Sequence, residues 1–320
     1  MKIVILDGYT ENPGDLSWDG IGELGELTVY DRTAEEQRGQ RIGDARIVLT
    51  NKTPLTREVM EQCPELEYIG VLATGVNVVD LQAAKERGII VTNVPSYSTD
   101  CVAQFTMALL LELCHHVGAH SDAVKAGAWS RCPDFCFWNY PLIELKGKKM
   151  GIIGFGQIGR AVAKLARAFG MEVLACGHHG VRKELLEEGM RSAELEEVYA
   201  QADVISLHCP LSEENRGMIC RSALEKMKPG VLILNTARGA LICEQDLKEA
   251  ILSGRVGGAA VDVAVTEPVS EDSPLLSTPN LIITPHIAWA PKEARIRLMN
   301  TAVENLRAYL AGAPVNVVNK

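Results

Sequence analysis

Three residues in the second half of the chain carry side chains suited to acid–base chemistry on a carbonyl compound: Arg238, Glu267 and His286. Each follows closely on an apolar run that predicts a buried strand, and ligands bind at the carboxyl ends of strands in open α/β sheets. Taken singly, each residue also has an ordinary structural explanation, such as a surface ion pair or a loop end. Three such residues at successive strand ends favour a shared site.

The chemistry that fits this set is the reduction of a 2-keto acid. Arg238 suits the carboxylate because a guanidinium is always charged and binds a carboxylate through two parallel hydrogen bonds. His286 suits the developing alkoxide because imidazole titrates near working pH and can donate a proton. Glu267 can hold His286 in one tautomer and stabilise its protonated form. We therefore expect these three residues to be catalytic.

A glycine-rich motif upstream predicts the site of the hydride donor. Residues 154–159 read G-x-G-x-x-G, after an apolar strand and before a helical pattern that begins at Arg160. Gly154 allows a tight turn, Gly156 lets the backbone approach a pyrophosphate, and Gly159 lets the helix pack on the strand. The free N–H groups of the helix N-terminus favour the same anion. The motif predicts a dinucleotide site; the alternative is a glycine-rich turn without a ligand.

The acidic residue that usually selects NAD is missing from its expected position. Such an acid follows the second strand of the unit, where it accepts from the ribose 2′-OH and repels a 2′-phosphate. Gly177 stands there instead, and His178, His179, Arg182 and Lys183 are close by. We therefore expect NADP as well as NAD as cofactor; the alternative is that these side chains only face solvent.

Apolar β-branched runs alternate with helical patterns along the whole chain, and the alternation restarts at about residue 150. Continuous apolar strands are typical of parallel sheets that helices cover on both faces. We expect an α/β chain with two doubly wound parallel-sheet domains. The predicted strands are residues 2–6, 47–49, 68–71, 89–92, 150–153, 172–175, 204–208, 231–235, 259–263 and 281–284.

Between the two series of strands, the sequence predicts one helix over residues 100–125 and an extended arm over residues 129–141. The arm holds five aromatic residues without helical or strand period, and dense exposed aromatics mark interaction surfaces. We expect the arm to pack across a two-fold homodimer, with Trp138 or a neighbour near the partner's substrate pocket. The alternative is that the arm folds back on its own domain. A last amphipathic helix is predicted over residues 291–310.

Composition argues against several classes of partner. The formal net charge is −9 and the basic residues form no stripe, so we expect neither nucleic acid nor an anionic membrane as a partner. No apolar stretch reaches the ~18–20 residues of a membrane span. The nine cysteines are irregularly spaced and no secretory signal is visible, which favours reduced thiols in a cytoplasmic protein.

Two groups of residues contain possible metal ligands. Cys132 lies four residues before Cys136, and Cys176 precedes His178 and His179. Neither group has a second ligand pair at zinc spacing, so we expect no metal.

Together these motifs resemble those of the D-2-hydroxyacid dehydrogenase family over essentially the whole chain. The matching segments are residues 154–159, 208–211, 235–239, 262–268 and 284–289. Within the family the chain looks most like the glycerate dehydrogenase, or hydroxypyruvate reductase, branch. The supporting segments for this branch are residues 73–80, 133–138 and 286–290.

The resemblance implies a Rossmann-type cofactor domain, residues 99–288, inserted into a flavodoxin-like substrate domain, residues 1–98 and 289–320. It implies that residues 100–145 form most of a dimer interface. It also implies that Arg238, Glu267 and His286 fill the family's catalytic positions. The expected substrate-binding residues are Ala73, Thr74, Gly75 and Arg238. The expected cofactor-lining residues are Thr99, Gly154, Gly156, Gln157, Ile158, Gly159, Gly177, His178, His208, Cys209, Pro210, Thr236, Ala237, Asp262 and His286.

The expected reaction interconverts hydroxypyruvate and D-glycerate, or glyoxylate and glycolate, and two alternatives stay open. D-lactate or another 2-hydroxy acid would use the same chemistry, whereas 3-phosphoglycerate would require extra cations for its phosphate. The second alternative is a dinucleotide-sensing transcriptional corepressor on the same fold. That class favours long disordered tails and partner-docking segments, which the sequence does not suggest.

Overall fold

The chain leaves its first structural unit after Ser98 and returns to it at Ala290. The computed structural model describes residues 1–320. Unit 1 comprises Met1–Ser98 and Ala290–Lys320, and unit 2 comprises Thr99–Trp289. The expected division placed the second boundary between residues 288 and 289.

Unit 1 is built on a five-stranded parallel sheet. Its strands are β1 (Lys2–Ile5), β2 (Glu26–Val29), β3 (Ile47–Thr50), β4 (Tyr68–Val71) and β5 (Ile90–Thr92), in the order β2-β1-β3-β4-β5. Its first helices are α1 (Asp19–Gly22), α2 (Arg38–Ile42), α3 (Arg57–Glu61) and α4 (Leu81–Glu86). This is the flavodoxin-like order, and its topological switch point lies between β1 and β3. Every residue of β3 and β4 is buried, as expected for central strands.

Unit 2 is built on a seven-stranded parallel sheet. Its helices are α5 (Thr99–His115), α6 (Val117–Lys125), α7 (Gln157–Ala168), α8 (Leu195–Gln201), α9 (Arg221–Lys226) and α10 (Glu244–Leu252). Its strands are β6 (Lys149–Ile153), β7 (Glu172–Cys176), β8 (Met190–Ser192), β9 (Val204–Leu207), β10 (Val231–Asn235), β11 (Val256–Val261) and β12 (Leu281–Ile283). The order β12-β11-β10-β9-β6-β7-β8 is the dinucleotide-binding order extended by one strand, with its switch point between β6 and β9.

The last helix, α11 (Lys292–Leu310), belongs to unit 1. Its buried face includes Ala294, Leu298, Ala302 and Leu306, which recur every four residues along one side of the helix. Arg295 anchors the first turn of α11, because its guanidinium donates to both carboxylate oxygens of Asp15 at 2.7 Å.

Strands β2 and β8 were not predicted from the sequence. Both lie at an edge of their sheet, and neither contains a buried residue. An edge strand is covered less completely than a central one, so it does not need a continuous apolar run. Neither edge strand therefore has a sequence that predicts it strongly; β2 reads ELTV and β8 reads MRS.

The helix predicted over residues 100–125 is two helices, so this prediction was wrong. His116 separates α5 from α6 with a φ of 50°, in the left-handed region, and the two helix axes are bent by 55°. The ring of His116 stacks on Tyr140 at 4.4 Å between centroids, and its carbonyl accepts from His120 Nδ1. Tertiary contacts with the arm thus outweigh the helical pattern. No single helix is long and apolar enough to cross a membrane, although α5 and α6 together would qualify by length and composition.

Candidate active site

The three expected catalytic residues follow three neighbouring strands of the unit 2 sheet. Arg238 follows β10, Glu267 follows β11 and His286 follows β12, and β10, β11 and β12 are hydrogen-bonded side by side. Because parallel strands bring their carboxyl ends to one edge, the three loops lie next to one another. Most of the other expected cofactor residues, those in segments 154–159, 177–178 and 208–210, follow the adjoining strands β6, β7 and β9 at the same edge.

Glu267 and His286 form a hydrogen-bonded pair. Oε2 of Glu267 lies 2.7 Å from Nδ1 of His286, and Oε1 of Glu267 accepts from the N–H of Ala264 at 3.1 Å. A carboxylate only accepts hydrogen bonds, so Nδ1 carries a proton in this pair. Nε2 is then the nitrogen that can exchange a proton with a ligand. The side chain of His286 is 29% exposed, so the pair is accessible without being fully solvated.

Asp262 holds the backbone around His286. Its Oδ1 accepts from Thr284 Oγ1 at 2.5 Å and from the N–H of Ile287 at 3.0 Å, and its Oδ2 accepts from the N–H of Ala288 at 2.8 Å. His286 has a φ of 55°, a conformation that costs energy for a residue with a side chain and persists only when its surroundings enforce it. Asp262 is buried, and these bonds occupy both its oxygens. Its expected contact with the cofactor stays a prediction.

The segment 235–239 is organised by its first and last residues. Buried Asn235 donates from Nδ2 to the carbonyl of Arg238 at 2.9 Å and accepts at Oδ1 from the N–H of Ala237 at 3.0 Å. A Cβ on Gly239 would lie 2.0 Å from the carbonyl carbon of Ala264, so only glycine allows this approach. The Asn235 bonds fix the shape of the Arg238 loop, and the close approach at Gly239 brings it against the loop that carries Glu267. Arg238 itself is exposed, and its Nη1 donates to the carbonyl of Ala237 at 2.7 Å.

Glu244 supports the same loop and was not predicted as a site residue. Its Oε1 accepts from the N–H of Val265 at 2.8 Å, and its Oε2 accepts from Ser273 Oγ at 3.2 Å. The residue opens α10, and acidic residues are common in the first turn of any helix. This role cannot be told from ordinary helix stabilisation by the residue type and position of Glu244 alone.

The glycine-rich turn between β6 and α7 has the shape that a pyrophosphate requires. Gly154 has a φ of 97°, and a Cβ there would lie 2.4 Å from the N of Cys209. A Cβ on Gly159 would lie 2.2 Å from the carbonyl oxygen of Gly154, whereas a Cβ on Gly156 would meet no atom within 4 Å. Gly156 thus faces open space at the N-terminus of α7, where no side chain caps the helix. These residues fit a dinucleotide whose phosphates accept from the first N–H groups of α7.

The remaining expected cofactor residues lie in the loops after β9 and β10 and at the start of α5. Thr236 Oγ1 lies 3.0 Å from Thr106 Oγ1, and Thr99 Oγ1 lies 3.4 Å from Gln157 Oε1. His208 Nε2 lies 2.8 Å from Ser206 Oγ, and burial lowers the pKa of His208 to about 4. A pKa this low favours the neutral imidazole of His208 near pH 7. Cys209 and Pro210 continue the same loop, and Ile158 and Ala237 lie beside the residues described above.

The loop after β7 differs from the sequence expectation in two respects. A Cβ on Gly177 would lie 2.6 Å from the carbonyl oxygen of Gly180, so this turn excludes a side chain at 177 unless the backbone moves. An acid does reach the loop, because Glu214 Oε2 lies 3.4 Å from His178 Nε2. Glu214 is distant in sequence, and no local pattern announces it. His178 and His179 are exposed, with their rings in edge contact.

In unit 1, Ala73, Thr74 and Gly75 form a turn one residue after the end of β4, here called the 73–75 turn. The carbonyl of Ala73 accepts from the N–H of Val94 at 3.0 Å, and the carbonyl of Thr74 accepts from Asn93 Nδ2 at 2.8 Å. No backbone carbonyl accepts from the N–H groups of Thr74 and Gly75. The turn is therefore fixed through its carbonyls while its N–H groups remain free for an anion.

The aromatic arm, residues 129–141, packs partly on α6 of its own unit. Trp129 Nε1 donates to the carbonyl of Phe135 at 2.9 Å, and the N–H of Asn139 donates to His120 Nε2 at 3.1 Å. Phe135 is 89% exposed and Trp138 is 65% exposed. With α6, the arm lines an apolar cavity of about 460 Å³. The arm thus touches its own unit and still presents a large apolar surface.

All nine cysteines are free, and no cluster of His, Cys, Asp or Glu side chains is arranged to hold a metal ion.

Comparison with known proteins identifies the family. Residues 107–288 match the model of the D-isomer specific 2-hydroxyacid dehydrogenase, NAD binding domain. The chain belongs to this family. The dehydrogenase is 57% identical to a hydroxypyruvate reductase of Blautia hydrogenotrophica, over 100% of both chains. It is 38% identical to a glycerate dehydrogenase of Methylorubrum extorquens, over 92% of each.

A solved structure has the same architecture. The acyclic imino acid reductase Bsp5, in complex with NADPH and D-Arg, is 30% identical, with a TM-score of 0.87 over 99% of this chain and 100% of that one. Membership in the family makes this dehydrogenase an oxidoreductase that acts on CH–OH groups with a nicotinamide cofactor, and its substrates are small 2-hydroxy or 2-keto acids. The predicted fold class and the predicted branch of the family are confirmed.

Proposed function

We propose that this dehydrogenase reduces hydroxypyruvate to D-glycerate, and glyoxylate more slowly, with NADPH or NADH. The observation that carries the chemistry is the 2.7 Å contact between Glu267 and Nδ1 of His286, which leaves Nε2 for the substrate. The choice of substrate is supported by the identity of 57% to a hydroxypyruvate reductase over the full length of both chains.

Each residue of the proposed site has a defined task. The guanidinium of Arg238 and the N–H groups of the 73–75 turn bind the substrate carboxylate. His286 donates the proton on Nε2 to the oxygen at C2, and Glu267 stabilises the imidazolium before that transfer. When bound, the nicotinamide supplies the hydride that C2 receives. In the reverse direction, neutral His286 accepts the hydroxyl proton.

The cofactor is held by residues of unit 2. Gly154, Gly156 and Gly159 accommodate the pyrophosphate, and the N–H groups of Gln157 and Ile158 at the start of α7 donate to it. The loop after β7, with His178, His179, Arg182 and Lys183, favours a 2′-phosphate, so NADPH is accepted at least as well as NADH. The imino acid reductase related to this chain was crystallised with NADPH, which supports the same choice.

The proposed assembly is a cytoplasmic homodimer. Residues 100–145 supply its interface, and the apolar arm packs across the two-fold axis near the partner's substrate pocket. The exposed surface of Phe135 and Trp138 supports an interface, because aromatic residues are enriched at the cores of such contacts. The nine free cysteines support a reducing compartment.

The decisive test is a steady-state comparison of hydroxypyruvate, glyoxylate and pyruvate, each with NADH and with NADPH. We expect the highest kcat/KM with hydroxypyruvate and D-glycerate as the product. A preference for pyruvate would support a lactate dehydrogenase instead. Tight dinucleotide binding without turnover of any 2-keto acid would support a sensing role.

A further inference from the structure

A buried polar group lies at the switch point of the unit 1 sheet, at the carboxyl ends of β1 and β3. Its members are Asp7, Glu11 and Asn51, which are 8%, 0% and 3% exposed. In doubly wound sheets this crevice is the usual place for a ligand. Buried polar groups are costly unless they are hydrogen-bonded, so this group requires an explanation.

Asp7 binds the loop after β3. Its carboxylate accepts from three successive backbone N–H groups, those of Asn51 at 2.9 Å, Lys52 at 2.6 Å and Thr53 at 2.7 Å. Successive N–H groups that converge in this way form an anion-binding concavity. Here the anion is a side chain of the protein itself. The loop 51–53 is therefore fastened to the end of β1.

Asn51 links that loop to the 73–75 turn. Its Nδ2 donates to the carbonyl of Leu72 at 2.7 Å, and Leu72 immediately precedes Ala73. On its other side, the turn is held by Asn93 and Val94. The peptide that enters the turn thus takes its orientation from Asn51.

Glu11 is the third buried member of this group, and it bears on the orientation of the Asn51 amide. Both carboxyl oxygens of Glu11 and Oδ1 of Asn51 are buried without a hydrogen-bond partner. Burial, and next the charge of Asp7, raise the pKa of Glu11 well above its usual range, which favours the protonated acid. A protonated Glu11 would carry an O–H donor for Oδ1 of Asn51, which has no other partner. The amide then directs Nδ2 towards Leu72.

We propose that Asn51, held by Asp7 and Glu11, is a positioning residue that sets the 73–75 turn for the substrate carboxylate. It acts through the carbonyl of Leu72 and does not touch the substrate. This inference rests on the proposed function, which gives the turn its ligand. Loss of the Asn51 contact would let the turn rotate, and small misplacements of binding groups lower catalytic efficiency strongly.

The test compares Asn51→Ala with Tyr68→Phe. Tyr68→Phe removes a buried 2.6 Å hydrogen bond to Thr92 from the same sheet and leaves the turn alone, so it controls for lost stability. We expect Asn51→Ala to raise KM for hydroxypyruvate about tenfold or more, by the usual cost of misplaced binding groups. The Kd for NADPH should not change, because the cofactor residues belong to unit 2. Hydrogen exchange of the peptide 70–78 should become faster in Asn51→Ala only.

A second pair of variants covers the case in which Asn51→Ala fails to fold. Glu11→Gln retains a donor for Asn51 Oδ1 and should keep the wild-type KM, whereas Glu11→Leu removes the donor and should raise KM. Wild-type KM in both Asn51→Ala and Glu11→Leu, in an enzyme that reduces hydroxypyruvate, overturns this inference and leaves the proposed function standing. A wild type that reduces no 2-keto acid refutes the proposed function and this inference with it.

Discussion

Asp262 fixes the position of His286 from one strand away. Its carboxylate binds Thr284 on one side of His286 and the N–H groups of Ile287 and Ala288 on the other. The φ of 55° at His286 is maintained between these anchors. The proposed proton donor therefore depends on a buried acid as well as on its contact with Glu267.

Replacement of Asp262 by Asn should lower kcat without unfolding the protein. An amide has one acceptor oxygen where the carboxylate has two, so at least one anchor beside His286 loses its partner. We expect kcat to fall by about 10²-fold, the loss associated with a misplacement of about 1 Å. Circular dichroism should confirm the fold, and a kcat close to that of the wild type would show that the strain at His286 needs no such support.

Cofactor preference should respond in opposite directions to two substitutions in the loop after β7. His178→Asp places a negative charge beside the expected 2′-phosphate and should shift the kcat/KM ratio towards NADH. Glu214→Gln removes the acid that lies 3.4 Å from His178 and should shift the ratio towards NADPH. Gly177→Asp is a poorer test, because its Cβ would press on Gly180. A wild type that uses NADH about a hundredfold better than NADPH, a difference of about 3 kcal/mol, would contradict this account of the loop.

Glu11 should make stability depend on pH. The pKa of Glu11 is raised in the folded protein, mainly by burial and then by the charge of Asp7. The charge of Lys52 lowers this pKa. The guanidinium of Arg295 also lies nearby, where it donates to the backbone carbonyl of Glu11. The folded state therefore binds a proton that the unfolded chain releases above about pH 4.3. Stability contributed by this proton is present below that pH and is lost as pH rises towards the folded pKa.

Glu11→Gln removes this titration and keeps the shape of the side chain. Urea unfolding of the wild type and the variant at several pH values between 5 and 8 should show the variant gaining relative stability as pH rises. A difference that stays constant with pH would mean that Glu11 is ionised in the folded protein.

Dimerisation should depend on the most exposed aromatic residues of the arm. Phe135→Ser combined with Trp138→Ser removes apolar area that dimerisation is proposed to bury. The dimer should therefore dissociate at a higher protein concentration than the wild type does. The KM for the keto acid should rise as well. Leu252→Ser is the control, since Leu252 is 60% exposed on α10, outside the arm. Analytical ultracentrifugation measures the effect. A wild type that is monomeric at micromolar concentration and fully active would rule out a role for the arm in the active site.

The sequence predicted those parts of the molecule whose signals are local. The strand before Gly154, the glycine spacing and the helix after it occur within one short segment, and each of Arg238, Glu267 and His286 follows a strand that its apolar run predicts. The structure adds the 2.7 Å contact that joins Glu267 to His286.

The features that sequence reasoning missed depend on residues far apart in the chain. Glu214 reaches His178, Asn51 reaches Leu72, and the break at His116 depends on Tyr140. No periodicity or motif encodes these pairings, because tertiary packing selects them. Edge strands β2 and β8 were missed for a related reason, since their partial exposure permits polar residues.

We propose above that His286, paired with Glu267, donates the proton in reduction of a 2-keto acid. The most direct measurement is kcat of His286→Ala with hydroxypyruvate and NADPH, together with the Kd for NADPH from fluorescence. We predict a fall in kcat of about 10²–10⁴-fold, the usual contribution of general acid–base catalysis, with nearly unchanged NADPH binding. A variant that retains more than about half of the wild-type kcat, far outside that range, would contradict the account.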